Sequence, residues 1–90
     1  MIFYHGTSVD AYEHILKEGV LFGKRGMFQG HETSRCTYLA TEIEEAKKYG
    51  DVVLKVEYDI EKNKRMHNYC DGCWQIRVYE PIALTQITRL

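Results

Sequence analysis

The stretch Tyr4-His5-Gly6-Thr7-Ser8 sets an imidazole, a glycine and two hydroxyls side by side at the end of a short apolar run, Ile2-Phe3-Tyr4. A histidine can donate or accept a hydrogen bond at either ring nitrogen. Glycine has no Cβ, so a ligand can approach its backbone and meet the N–H and C=O directly. The same residues also suit a plainer role, in which Gly6 turns the chain and Thr7 or Ser8 caps the following helix. A second cluster, His67-Asn68-Tyr69-Cys70-Asp71-Gly72-Cys73, holds a C-x-x-C pattern with a histidine just ahead of it. Thiolates and imidazoles are ligands of tetrahedral zinc, and His31 or Cys36 would have to complete the set. An Asp71-Gly72 turn flanked by small thiols accounts for the same pattern without a metal, and we adopt it. A redox role calls for a helix starting after the first cysteine, whereas Trp74 onward reads as a strand.

The remaining residues predict the elements that must hold these groups. Ala11, Tyr12, Ile15 and Leu16 recur at helical spacing against Asp10, Glu13, His14, Lys17 and Glu18, which gives an amphipathic helix of about three turns. Thr7 or Ser8 would cap its start and Gly19 would end it in the left-handed conformation. Val20-Leu21-Phe22 reads as a short strand. From Gly23 to Arg35 the periodicity vanishes among glycines, bases and the pair Met27-Phe28, which marks a long functional loop. Cys36 to Ala40 is a third strand. Thr41 and Glu44 have the T-x-x-E spacing of a capping box ahead of a short helix that runs to Tyr49 and stops at Gly50. Val52 to Tyr58 alternates clearly, and 59–71 is a polar loop. Trp74, Ile76 and Val78 define the buried face of a further strand; Pro81 interrupts it, and Ile82 to Ile87 forms the last. Six strands and two helices, with the strands concentrated late, predict an α+β domain.

Ninety residues make one domain, 1–90, with a single thin core. A hydrophobic content of 44% with one proline argues against disorder. The net charge of −1 offers no global field to a polyanion, so a nucleic acid would have to be met by a local patch. No apolar run approaches a membrane span and the first residues lack the features of a signal peptide, so no membrane partner and a cytoplasmic location are expected. Three cysteines cannot all pair within one chain, which also fits a reducing compartment better than a disulfide scaffold.

Several stretches taken together resemble the ADP-ribosyltransferases of the diphtheria-toxin and poly(ADP-ribose) polymerase type. They are Tyr4-His5-Gly6-Thr7-Ser8, Ile15-Leu16-Lys17-Glu18-Gly19-Val20, Thr37-Tyr38-Leu39-Ala40 and Trp74-Gln75-Ile76-Arg77-Val78-Tyr79. In that family a strand ends in His-Gly-Ser/Thr, a helix ends in a leucine and glycine phrase, a Tyr-Phe-Ala strand follows, a second tyrosine lies one helix later, and a late strand carries a glutamate. Here His5 and Tyr38 are 33 residues apart, and Tyr38 and Tyr49 are 11 apart, close to the family's spacing. The resemblance covers nearly the whole chain. It implies a minimal ADP-ribosyltransferase-like fold: two small antiparallel sheets packed together, two helices at their margins, and a cleft for NAD⁺ between the sheets.

Carried over residue by residue, the resemblance implies that His5 bonds the adenine-side ribose and that the Gly6 backbone pairs with the nicotinamide carboxamide. Thr7 is the hydroxyl of the same motif. Tyr38 and Tyr49 would sandwich the nicotinamide ring, and Lys24 or Arg25 would meet the pyrophosphate. Two positions depart from the family. Gln75 stands where it has its catalytic glutamate, so a hydrogen bond to the ribose hydroxyl is kept and a negative charge is lost. Ala46 stands where many members have a serine that helps to hold the carboxamide. Glu80, the nearest acid after Gln75, falls on the opposite face of an alternating strand. The implied function is NAD-dependent transfer of a single ADP-ribose to a macromolecular acceptor, protein or nucleic acid, with Gln75, His5 and Tyr38 as the catalytic set. The alternatives are a catalytically silent binder of NAD⁺ or an ADP-ribose-type nucleotide, and a small interaction protein that uses Met27-Phe28 as its contact surface.

Overall fold

A computed structural model of the chain describes residues 1–23, 27–28, 31–32, 35–69 and 72–90, and of 27–28 and 31–32 only the backbone. The first half contains β1 (Ile2–Thr7), α1 (Val9–Glu18), β2 (Val20–Leu21), β3 (Met27–Phe28), β4 (His31–Glu32), β5 (Thr37–Ala40) and α2 (Ile43–Ala46). A 3₁₀ turn at Lys47–Tyr49 extends α2, and β6 (Val52–Glu57), β7 (Gln75–Val78), β8 (Ile82–Ala83) and β9 (Ile87–Arg89) follow, with a second 3₁₀ turn at Leu84–Gln86 between the last two. The architecture is α+β. A five-stranded antiparallel sheet has the order β7-β5-β1-β6-β9, and β2-β8 and β3-β4 are two-stranded antiparallel pairs.

Period-two patterning explains the central sheet. Val52, Leu54 and Val56 of β6 point to one face with Phe3 of β1, Leu39 of β5, and Ile76 and Val78 of β7, and all are buried. Ile15 from α1 and the pair Leu21 and Ile82 from β2-β8 cover this face. Tyr69 meets Phe3 edge-on with ring centroids 5.9 Å apart, so the polar segment after β6 also contributes to the core. On the other face α2 lies over a smaller cluster of Ala40, Ala46 and Val53, flanked by Tyr4 and Ile43. Small residues there let the helix come close to the sheet.

α1 starts and stops for the expected reasons. Ser8 accepts a hydrogen bond from the Ala11 N–H at 3.1 Å, and Gly19 ends the helix at φ 79°. Of its apolar side only Ile15 is buried; Ala11 and Leu16 are exposed. The capping box expected at Thr41 does not form. The cap position of α2 is Glu42, which makes no side-chain cap bond, and the Thr41 hydroxyl donates to the Trp74 carbonyl at 3.3 Å, tying the end of β5 to the start of β7. The strand expected over Ile82–Ile87 is split. The Ala83 N–H donates to Gln86 Oε1 at 3.1 Å, and this local bond closes the 3₁₀ turn that sends β8 and β9 to different sheets. Within the expected Gly23–Arg35 loop, β3 and β4 pair through Met27↔Glu32 and Phe28↔His31. Strands of two residues are too short to show alternation. Cys36 is free and buried, whereas Cys73 is disulfide-bonded, contrary to the fully reduced set expected. Sulfur in a disulfide is not a thiolate ligand, which removes Cys73 in this state from any zinc set. No helix among the described residues is long and apolar enough to cross a membrane.

Candidate functional site

The site grows from the way β1 meets its two neighbours. With β6 the ladder is complete, from Ile2↔Glu57 to Thr7↔Val52. With β5 it holds at one register pair, Tyr4↔Ala40. Beyond that pair the connection is a side chain. The His5 Nδ1–H donates to the Tyr38 carbonyl at 2.8 Å. A carbonyl only accepts, so this bond fixes the proton on Nδ1 and leaves Nε2 of the neutral ring as an acceptor. A ligand hydroxyl that donates is the natural partner of that nitrogen.

Along this junction lies a cavity of about 490 Å³. Tyr4, His5 and Gly6 of β1, the run Cys36 to Ala40, and Ala46, Tyr49, Gly23 and Gln75 line it. The sequence-predicted residues His5, Gly6, Tyr38, Tyr49 and Gln75 are therefore brought together from four separate elements. Thr7 is not among the lining residues: it is buried, and on an alternating strand it faces away from Gly6. Lys24 and Arg25 lie outside the described residues. Glu80 does not line the cavity either; its charge acts on Tyr58, whose hydroxyl is pushed up to about 12, first by burial and then by Glu80 and Asp59.

Two glycines make the cavity possible. A Cβ on Gly6 would stand 1.8 Å from the Ala46 carbonyl oxygen, so α2 can lie over β1 only because that position has no side chain. Gly23, which sequence reasoning left inside a loop, is enclosed in the same way: its Cβ would meet the Cys36 carbonyl oxygen at 1.9 Å. Its N–H donates to Thr37 Oγ1 at 2.8 Å and its carbonyl accepts from Arg35 Nε at 2.6 Å. Thr37, buried in the sheet, thus anchors Gly23 at the cavity wall. Tyr38 and Tyr49 are half exposed, at 50% and 58%. Large aromatic faces left open at a cavity mouth are unusual as packing and suit a planar ligand.

The lining contains no Asp, Glu, Lys or Arg among the described residues. An uncharged cavity with two aromatic faces attracts a flat, cationic ring through stacking and cation–π contact, worth about 0.5–2 kcal/mol per ring. Among the described lining residues nothing offers a counter-charge to a phosphate.

Burial lowers the pKa of His5 from its ordinary 6.5, and the bond to the Tyr38 carbonyl opposes that only in part. In the unfolded chain the imidazole takes up its proton as pH falls through about 6.5, while in the folded protein it stays neutral to lower pH. The unfolded state then binds more protons, and stability falls with acidification from about pH 6.5 down through the folded-state value. Melting temperatures measured between pH 7.5 and 5 should decline more steeply in the parent than in His5→Gln. Parallel curves would show that His5 is not the group responsible.

No family model, curated protein or solved structure matches this chain.

Proposed function

We propose that the cavity binds NAD⁺ by its nicotinamide half and that the protein transfers a single ADP-ribose to a macromolecular acceptor. One observation carries this: His5, Gly6, Tyr38, Tyr49 and Gln75, distant in sequence, line one uncharged, aromatic cavity. The resemblance to NAD-dependent ADP-ribosyltransferases names the same five residues. Tyr38 and Tyr49 offer faces to the nicotinamide ring, and Gly6 lines the same cavity, where its main chain would meet the carboxamide. His5 presents Nε2 to a ribose hydroxyl, and Gln75 bonds a hydroxyl of the other ribose. Holding the ring and the ribose fixes the C1′–N bond in place for an acceptor to approach. As that bond breaks, nicotinamide leaves neutral with the electron pair, the acceptor bonds to C1′, and the acceptor's proton passes to solvent.

Gln75 sets the limit of the chemistry. Positive charge develops on the ribose as nicotinamide departs, and a neutral amide stabilises it less than a carboxylate does. Turnover should accordingly be slow and stop after one unit, since Gln75 takes no proton from an incoming ribose hydroxyl. The same residue favours a second reading, a silent binder that captures NAD⁺ without cleaving it. Incubation with NAD⁺ and chromatography of free nicotinamide separates the two. Release above the spontaneous rate, lost in Tyr38→Ala, is the expected result; tight binding with no release would leave only capture.

A further inference from the structure

Of Lys24, Arg25 and Arg35, the strong bases of the segment after β2, Arg35 is the one whose side chain is described, and it is turned onto the protein itself. Its Nε–H donates to the Gly23 carbonyl at 2.6 Å and its Nη2 to the Phe22 carbonyl at 3.3 Å. The centre of the guanidinium lies 4.2 Å from the centroid of the Phe22 ring. Glu18, in the last turn of α1, stands 4.0 Å from the same Nη2. One planar cation thus holds two successive carbonyls and covers an aromatic face, a task suited to its fork of donors.

The main chain at this point needs such a hold. The ladder between β2 and β8 ends at Leu21↔Ile82, so that pairing does not reach Phe22 or Gly23. Side chains take over. Thr37 Oγ1 accepts from the Gly23 N–H at 2.8 Å, Arg35 takes the Gly23 carbonyl, and the bare Cα of Gly23 lies close against the Cys36 carbonyl. Gly23 and Cys36 both line the cavity, whereas Arg35 is not among its lining residues. Arg35 therefore acts on the cavity through the backbone that it holds. It also joins the two ends of the intervening segment 24–34 directly to each other. Bringing the ends of a chain segment together costs entropy, and hydrogen bonds from a charged donor are the strong kind that offsets it.

We infer that Arg35 is a positioning residue of the cavity: it clamps Phe22 and Gly23 against Cys36 and Thr37 and thereby sets the affinity for NAD⁺. The effect on NAD⁺ rests on the function proposed above; the clamp on Gly23 does not. A wall fixed before the ligand arrives leaves less to be ordered on binding. The chemical step is assigned to Gln75 on β7, while Arg35 bonds to Phe22, Gly23 and Glu18, so the clamp governs binding and not the rate of bond breaking.

Two readouts on the full chain test this. Without NAD⁺, amide hydrogen exchange at Gly23, followed by NMR, should be roughly tenfold faster or more in Arg35→Ala and partly slowed again in Arg35→Lys, which keeps the charge but lacks the fork. With NAD⁺, calorimetry should show affinity weakened roughly tenfold in Arg35→Ala, while nicotinamide release at saturating NAD⁺ keeps its parent rate. Glu18→Gln, which removes only an exposed ion pair, should leave both readouts at parent values. Adding Thr37→Val to Arg35→Ala should cost less than the product of the two single effects, since both act on Gly23. Circular dichroism checks that the variants are folded, and Arg35→Lys carries the comparison if Arg35→Ala is not. Unchanged exchange at Gly23 would overturn the inference, as would a fall in the saturated rate at parent affinity. Faster exchange in a protein that never binds NAD⁺ would sink the NAD⁺ reading and leave the clamp standing; NAD⁺ binding indifferent to Arg35 would do the reverse.

Discussion

Gln75→Glu is expected to raise nicotinamide release from NAD⁺ by about 10²–10³-fold, the range typical of a group aimed at charge that develops in a transition state. Gln75 is half-buried on β7 and paired in register with Ala40, so its side chain stands beside the small residues under α2 and not in open solvent. Glutamate has the same length and keeps one hydrogen bond to the ribose hydroxyl while adding a negative charge. Among the described residues no other Asp or Glu lines the cavity to repel it, and Arg77 follows two residues on along the same face of β7. The gain should fall on kcat with KM little changed, since the charge it stabilises is absent from the ground state. Single-turnover release, followed by chromatography, measures it. An unchanged rate in a variant that binds NAD⁺ normally would place the reacting ribose elsewhere than at Gln75.

Gly6→Ala should damage fold and site together. The added methyl would lie 1.8 Å from the Ala46 carbonyl oxygen and 3.2 Å from the Tyr49 Cβ, and backbone cannot yield as the tip of a flexible side chain can. α2 and the 3₁₀ turn behind it must shift. Inserting one methyl into a tight contact costs about 1–3 kcal/mol, and this contact is at the severe end of that range. Because Tyr49 moves with α2, NAD⁺ binding should be lost even in conditions where the variant remains folded. Gly19→Ala is the control: its added Cβ meets nothing within 4 Å, but φ 79° strains it, costing about 1–2 kcal/mol with no effect on the cavity. Denaturant unfolding and NAD⁺ titration of both variants decide the matter. Equal ligand binding by Gly6→Ala and the parent would mean that Tyr49 does not contribute to the site.

How much of this was legible in the sequence follows from the range of the forces involved. Period-two alternation located β6 and β7, and the cap residues Ser8 and Gly19 located both ends of α1, because each signal is local. Thr41 misled for the same reason. Its spacing to Glu44 satisfies a local rule, but the Trp74 carbonyl, brought near by the β5-β7 ladder, takes its hydroxyl. Trp74 was read as buried from the strand pattern, yet it sits just outside the paired residues, where alternation no longer implies cover. Among the residues that line the cavity, His5, Gly6, Tyr38, Tyr49 and Gln75 are the ones that the order and spacing of the resembled motifs single out. Gly23 and Thr37 were missed as lining residues, since the Gly23 N–H to Thr37 Oγ1 bond joins two ordinary residues that only the fold brings together. A glycine directly after the β2 segment was the one available hint.

The most direct test of the central claim is calorimetric titration of the protein with NAD⁺ into the millimolar range, alongside His5→Ala and Tyr38→Ala. Tyr38→Ala removes an aromatic face, worth about 0.5–2 kcal/mol or up to some 30-fold in affinity. His5→Ala removes both the Nε2 acceptor and the bond that holds β5 at Tyr38. Saturable heat in the parent, strongly reduced in both variants, is the predicted result. No heat from a folded parent, or equal heat in all three proteins, would contradict the assignment of this cavity to NAD⁺.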